Sequence, residues 1–169
     1  DLNYDGSTST EKSVTSGSVV SEPEVPTREG YTFAGWCTDT GCTKSYDFSA
    51  AVTESITLYA KWTVNTYTVT FETNGGSAVT SQTVNYNSTA RTPTAPTKEG
   101  YTFAGWCTDT GCTNSYDFLT AVTESITLYA KWTVNTYTVT FNTDGGSAVD
   151  SQTVNYNSTA RTPTGPTKT

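Results

Sequence analysis

The chain has 169 residues, a formal net charge of −7 and a pI near 4.4. Its nine lysine and arginine residues are scattered along the sequence, which argues against nucleic acid and anionic membrane surfaces as partners. Histidine is absent, so the commonest general base and every Ser-His or Cys-His catalytic arrangement are excluded. We therefore predict that the protein is not an enzyme and carries neither a cofactor nor a metal site.

The sequence repeats itself with an offset of 70 residues, since the YTFAGW motif at Tyr31 returns at Tyr101. Residues 96–169 match residues 26–99 at 65 of 74 positions. A period of this length is the size of a small domain and exceeds the unit of most solenoid proteins. Such near-identity indicates duplication of a module, which suits a stalk or a multivalent binder better than an enzyme.

The first residues carry part of a calcium-loop pattern. Residues 1–6 read D-x-N-x-D-G, the first half of an EF-hand loop, but position 12 is Lys12 where a bidentate glutamate is needed. The 70-residue offset instead aligns Asp5-Gly6 with Gly75-Gly76. We therefore predict a hairpin turn at Asp5-Gly6 rather than a calcium site.

The next elements are predicted as a hairpin. In Tyr67–Thr73 the tyrosine, valine and phenylalanine share one face, which is the two-residue period of a half-buried strand. The Asn-Gly-Gly sequence at 74–76 then favours a turn, and Val79–Tyr86 returns as the second arm. Residues 137–156 repeat this hairpin.

The second half of the repeat predicts further strands. Two prolines in Ala90–Gly100 exclude a long helix, and Tyr101–Trp106 follows as a third strand. Cys107–Cys112 is predicted as a loop, and Ala121–Ser125 as a turn or a single helical turn. Ile126–Trp132 alternates cleanly, with isoleucine, leucine, alanine and tryptophan on one side.

The alternation changes parity after Trp132, since the inward positions pass from even to odd numbers. This change predicts a joint between modules. The predicted division is a shortened first module at 1–62, a link at 63–66, a complete module at 67–132, a link at 133–136 and a partial third module at 137–169. A division shifted by half a period, into 26–95 and 96–165, remains open.

Five motifs in order carry a family resemblance, namely Gly100–Trp106 (GYTFAGW), Phe118, Ile126–Trp132 (ITLYAKW), Tyr137–Phe141 (YTVTF) and Gly145-Gly146. Their order and spacing resemble the Listeria–Bacteroides repeat, the B-repeat of internalin-type surface proteins. The resemblance implies a mostly β or α+β fold of tandem, small β-grasp-like modules, with a mixed sheet and at most a short helix. It also implies that the opening and closing strands are parallel neighbours. Because parallel neighbours need a long crossover, the short links favour the division at 67–132.

What the resemblance implies about function is a spacer or stalk in adhesion, within a bacterial secreted or cell-wall-attached protein. The alternative is a multivalent module that binds host glycan or protein through exposed aromatic residues. The start at Asp1 and the stop inside a repeat predict a fragment of a longer protein, with its secretion and anchor signals elsewhere and no membrane insertion of its own. Expected partners are a host-surface or extracellular-matrix protein or glycan, and a second copy that associates head to tail through the truncated ends.

Two cysteines in each copy bracket a Thr-Asp-Thr-Gly loop, Cys37 with Cys42 and Cys107 with Cys112. In an extracellular setting this pattern favours one local disulfide per module over free thiols or a metal site. A zinc site needs about four ligands, so both pairs would have to meet across modules. The loop-closure model assigns each six-residue ring roughly 2 kcal/mol.

The closing strand also supplies a candidate binding surface. Tyr59 and Tyr129 lie on the face opposite the apolar residues, which makes them better candidates for exposed aromatic residues than the tryptophans. Lys61 and Lys131 lie beside them, and we take these four residues as the possible binding surface. The four tryptophans are instead predicted to be packing residues rather than a sugar-stacking platform, namely Trp36, Trp62, Trp106 and Trp132.

Overall fold

The computed structural model describes residues 1–4 and 8–168, and within these residues it contains ten β-strands and no helix. In chain order the strands are β1 (Tyr31–Cys37), β2 (Tyr59–Val64), β3 (Thr66–Glu72), β4 (Gln82–Asn85), β5 (Ser88–Thr89), β6 (Tyr101–Cys107), β7 (Ala121–Val122), β8 (Ile126–Val134), β9 (Thr136–Val139) and β10 (Gln152–Asn155). The predicted mostly-β fold is therefore confirmed. The predicted turn at Asp5-Gly6 lies outside the described residues.

The central sheet has four strands in the order β4-β3-β8-β6. β4 and β3 form the predicted antiparallel hairpin, although β4 is shorter than the predicted arm. β3 lies parallel to β8, with Val69 opposite Ile126 and Glu72 opposite Tyr129. β6 then pairs antiparallel with the other edge of β8. The sheet is mixed, and the parallel neighbours implied by the family resemblance are present.

The alternating pattern places one face of this sheet in the core, as predicted. Val69 and Leu128 are completely buried, while the neighbouring strand residues Thr68, Thr70 and Thr127 face the solvent. Trp106 is 4% exposed and packs edge-to-face on Phe71, with ring centroids 4.9 Å apart. The buried members of the core cluster are Val69, Phe71, Val84, Ala90, Trp106, Val122, Leu128 and Ala130.

The segment between β6 and β8 contains a short strand. The sequence predicts a turn or a single helical turn at this place. Ala121–Val122 form β7, which pairs antiparallel with Ser88–Thr89 of β5. The pairing directs Val122 into the core, where it is 2% exposed. The prediction of a turn or a helical turn is therefore wrong at Ala121 and Val122, because pairing with β5 holds these two residues extended.

The first repeat contains the counterparts of β6 and β8, namely β1 and β2. β1 pairs antiparallel with β2 in the register of β6 with β8, including the irregularity between Phe33 and Gly35. At its beginning, the Asn3 side-chain amide donates to the carbonyl of Ala60 at 3.3 Å and Asn3 has a φ of 58°. Asn74 has the same role in the second repeat, with a φ of 51°. Asn3 and Asn74 therefore correspond in the structure, although the 70-residue offset of the sequence alignment pairs Asn74 with the residue after Asn3.

The third repeat contributes the predicted hairpin, β9 with β10. Tyr137 pairs with Val154 as Tyr67 pairs with Val84, so the register is that of the second repeat. The side chains differ in burial, since Val84 is 7% exposed whereas Val154 is only half-buried. Within the described residues this hairpin forms a two-stranded sheet.

Truncation of Leu128 tests whether this core stabilises the fold. We expect Leu128→Ala to lower the free energy of unfolding by about 2–5 kcal/mol, because a completely buried leucine leaves a cavity. Leu119→Ala is the matched control, since Leu119 is 84% exposed and its loss should stay within about 0.5 kcal/mol. Urea denaturation followed by tryptophan fluorescence measures both, and equal effects would contradict the assigned core.

Candidate functional site at the joints between repeats

A single residue links the closing strand of one repeat to the opening strand of the next. β2 ends at Val64 and β3 begins at Thr66, so Asn65 alone lies between them. The backbone N–H of Asn65 donates to the carbonyl of Gly30 at 2.9 Å. Its own carbonyl accepts from the N–H of Tyr86 at 2.8 Å. Asn65 is therefore hydrogen-bonded to the preceding repeat and to the hairpin of the following repeat at once.

The side chain of the linking residue is held as well. The Thr32 hydroxyl donates to the Asn65 side-chain oxygen at 2.7 Å. The second joint repeats the arrangement with the same type of partners, since the Thr102 hydroxyl donates to Asn135 at 2.7 Å. There the backbone of Asn135 bonds Gly100 and Tyr156, each at 2.8 Å. Two joints with one geometry indicate that the arrangement belongs to the repeat.

Aromatic packing accompanies these hydrogen bonds. The Tyr86 ring packs against Tyr31 and Tyr67, with centroids 6.5 and 6.4 Å away respectively. It lies directly on Gly30, where an added Cβ would overlap the ring. Gly30 also has a φ of 73°, which other residues rarely adopt. Glycine is thus required at this position for space and for backbone conformation.

The tyrosine hydroxyl of the joint also has a charged partner. The hydrogen bond that the Tyr86 hydroxyl makes with the Glu29 carboxylate raises the pKa of Tyr86 above its usual value. Glu99 raises the pKa of Tyr156 in the same way at the second joint. Each joint therefore combines backbone bonds, ring packing and a carboxylate–phenol hydrogen bond.

A cation covers the outer aromatic ring of each joint. The Arg28 guanidinium carbon lies 3.7 Å from the centroid of Tyr31. At the second joint Lys98 replaces it, with its Nζ 4.6 Å from the centroid of Tyr101. The same Nζ donates to the carbonyl of Asn74 at 2.7 Å. The substitution between the copies thus preserves a cation–π contact.

The cysteines form one small ring in each repeat. Cys37 is bonded to Cys42 and Cys107 to Cys112, with Cα atoms 5.0 Å apart in both pairs. Within the second ring the Asp109 carboxylate accepts backbone N–H groups of the following loop residues at 2.8–3.1 Å. The N–H of Thr113, followed by that of Asn114, lowers the pKa of Asp109. These bonds fix the loop shape beside the end of the strand.

The proposed binding residues lie next to this ring. Tyr59 and Tyr129 are half-buried. The disulfide loop lies beside them, since the Cys112 sulfur is 3.5 Å from the backbone carbonyl of Tyr129. Among the described tyrosines, Tyr101 and Tyr137 are the more exposed, at 36% and 55%. Lys61 and Lys131 are exposed as expected, and a ligand-binding role for the four residues stays a prediction.

The tryptophans have packing positions, as predicted. Trp36 and Trp106 are buried, and Trp62 and Trp132 are half-buried. The Trp132 indole N–H donates to the carbonyl of Thr73 at 2.9 Å, which ties the closing strand to the turn after β3. Within residues 1–4 and 8–168 no group of three or more metal-ligating side chains occurs, and no helix is long and apolar enough to cross a membrane.

The sequence predicts the links at 63–66 and 133–136, but it does not indicate that Gly30 and Tyr86 contact them. Gly30, Asn65 and Tyr86 recur 70 residues later, but so does almost every other position. Recurrence therefore carries no special signal here. The one usable indication was the Asn within the parity change, because asparagine tolerates turns better than its threonine and valine neighbours.

These features define a class of protein, a tandem array of small, mostly-β repeats joined by single-residue links. Comparison with known families then identifies the particular family. The Listeria–Bacteroides repeat domain matches residues 1–61, 67–131 and 137–169, so this chain belongs to that family.

Three relatives share the repeats. The chain is 46% identical over 153 residues to a "Putative membrane protein" of Evansella cellulosilytica, covering 89% of this chain and 23% of the relative. It is 43% identical over 154 residues to a "Putative Gly-rich membrane protein" of the same organism, covering 90% of this chain and 18% of the relative. It is also 44% identical over 151 residues to Internalin H of Listeria monocytogenes, covering 80% of this chain and 27% of the relative.

The chain thus spans at most about a quarter of the length of these relatives. The family match and the similarity to Internalin H together indicate that the chain is a repeat of a surface protein.

The disulfides are tested by intact mass. On reduction we expect the mass to rise by that of four hydrogen atoms, because two bonds open. Replacing one pair, Cys107→Ser with Cys112→Ser, should lower the free energy of unfolding by roughly 2 kcal/mol. Thiol labelling of all four cysteines in the unreduced protein would contradict the pairing.

The joint is tested by proteolysis. Tyr86→Ala removes two ring contacts, each worth about 0.5–1.5 kcal/mol, and should make residues 63–66 more susceptible to cleavage. The matched variant is Tyr156→Ala, which should sensitise residues 133–136 and leave 63–66 unchanged. Mass mapping of the first cleavage products distinguishes the two sites. Cleavage at the same site in both variants would show that the tyrosines do not hold their own joints.

Proposed function

We propose that this chain is a non-catalytic spacer from a bacterial secreted or cell-wall-attached protein, and that its repeats hold an adhesive region away from the surface. The observation that carries the proposal is the repeated joint. Asn65 and Asn135 make the same backbone and side-chain hydrogen bonds to the repeats on either side. A link fixed in this way transmits the orientation of one repeat to the next.

The proposed units are β-grasp-like modules at 1–62, 67–132 and 137–169, joined at 63–66 and 133–136. Within these links only Asn65 and Asn135 lie outside the strands. Two observations support this division over one shifted by half a period. All members of the described core cluster lie between residues 67 and 132. The β3–β8 ladder joins residues 69–72 to residues 126–129, which a boundary between 95 and 96 would separate.

The spacer function follows from the path of the chain. The chain enters a module at the beginning of β3 and leaves at the end of β8, and these strands are parallel. The two connections therefore lie toward opposite ends of the sheet. Each module of about 70 residues would add roughly 30 Å of length, from the size scaling of compact domains. Recognition of a host protein or glycan would then belong to other parts of the protein.

The surface chemistry suits this role. The net charge of −7 favours solubility over association with nucleic acid or anionic lipid. The side chains that face the solvent on the strands are largely threonine, which stabilises strands without creating an apolar patch. A secreted protein can also keep both disulfide rings oxidised.

Small-angle scattering tests the spacer. A compact globule of 169 residues would have a radius of gyration of about 15 Å, and we expect a clearly larger value with an elongated distance distribution. A variant with two glycines inserted after Asn65 serves as the control, because a flexible link should broaden that distribution. A radius near the globular value for the unmodified chain would rule out the spacer.

A further inference from the structure

We propose that the parallel ladder between β3 and β8 is a mechanical clamp, which is loaded in shear when the chain is stretched by its ends. The inference extends the proposed spacer function, since a stalk at a cell surface experiences tension. It concerns residues 69–72 and 126–129, which pair in parallel.

The direction of loading follows from the topology. Tension reaches the second repeat through Asn65, just before the first residue of β3, and leaves through Asn135, just after the last residue of β8. Because the strands are parallel, these two points pull β3 and β8 in opposite directions along their own axes. All hydrogen bonds of the ladder then share the load and must break together. Pulling both strands from the same end would instead open the bonds one after another.

Side-chain hydrogen bonds reinforce the ladder at both ends. At the beginning, the N–H of Thr68 donates to the Ser125 hydroxyl at 3.1 Å. Beyond the far end, the Asn74 side-chain amide donates to the carbonyl of Ala130 at 2.9 Å. The hydrogen bond from the Trp132 indole N–H to the carbonyl of Thr73 also connects the two segments beyond this end of the ladder. Each of these bonds joins the β3 segment to the β8 segment and opposes the same sliding motion.

Water has little access to one face of the ladder. Val69 and Leu128 are completely buried and Phe71 is 6% exposed, so the inward side chains of both strands pack in the core. A strained hydrogen bond resists exchange with water best where water is excluded. Sliding of the strands would also move these side chains out of a packed core, which adds a second resistance.

The disulfide ring lies outside the loaded path. Cys107 is the last residue of β6, and β6 pairs with the edge of β8 that faces away from β3. The ring therefore does not hold the clamp. It limits how far the chain extends after the clamp has opened, because the six residues from Cys107 to Cys112 remain closed.

The experiment is single-molecule stretching of the full chain with handles at both ends. We expect one high-force event, with a gain in contour length that corresponds to residues 66–134. In a second geometry the C-terminal handle is moved to a clickable non-natural residue at exposed position Glu124, just before β8. This geometry pulls both strands from the same end, and we expect the unfolding force to fall at least twofold. Equal forces in the two geometries would overturn the clamp.

Two further measurements use the first geometry. Reduction should leave the peak force unchanged and lengthen the contour gain by about 13 Å, because about 18 Å of extended chain replaces the 5.0 Å between the Cα atoms of the ring. A peak force that falls on reduction would show that the disulfide, rather than the ladder, carries the load. Asn74→Gly should lower the force, whereas Asp144→Gly at the equivalent position of the third repeat should not.

The outcome is separable from that of the spacer proposal. Scattering measures the shape of the unstretched chain, whereas the comparison of pulling geometries measures one ladder within one repeat. An elongated chain with equal forces in both geometries would retain the spacer and remove the clamp. A compact chain with unequal forces would do the reverse.

Discussion

The parallel ladder between β3 and β8 joins the first and last strands of a repeat, and the remaining structure depends on this contact. It brings Val69 and Phe71 of the opening strand beside Leu128 of the closing strand. Trp106, from the neighbouring strand β6, packs in the core formed by these side chains. Without the ladder the hairpin and the second half of the repeat would each expose an apolar face.

The ladder also determines how one repeat follows another. Since a parallel neighbour cannot be reached by a one-residue link, the strand after Asn135 must leave the sheet and begin a new one. The hairpin of the new repeat then returns to the old one through Tyr156, whose ring lies on Gly100. The array is consequently continuous in its contacts from one repeat to the next. Each repeat interacts mainly with its nearest neighbours, as in other repeat proteins.

Much of this fold could be predicted from the sequence because strands have a strict two-residue period. The alternation in Tyr67–Thr73 and Ile126–Trp132 agrees with the buried faces of the strands, and its change of parity coincides with Asn135, the residue between β8 and β9. The order of the strands in the sheet was accessible only through the family resemblance. A single sequence contains no signal for which of several similar strands become neighbours, since pairing depends on contacts between distant residues.

The site was less predictable than the fold. The role of Gly30 depends on a ring contributed by Tyr86, far along the chain. The one-residue displacement at the start of the first repeat escaped the alignment because Asn3 resembles Asn74 in conformation rather than in its neighbours. Contacts of these kinds arise after folding and leave little trace in composition or spacing.

The single-residue link has a genetic consequence. Inserting or deleting one codon at Asn135 would shift the following strand by one position and turn Val139 from the core side to the solvent. Recombination that removes or adds a whole period leaves every joint unchanged, since the two described joints already share their partners. Genes of this kind are therefore expected to vary in length by whole multiples of the repeat, and natural variants should show few intermediate sizes.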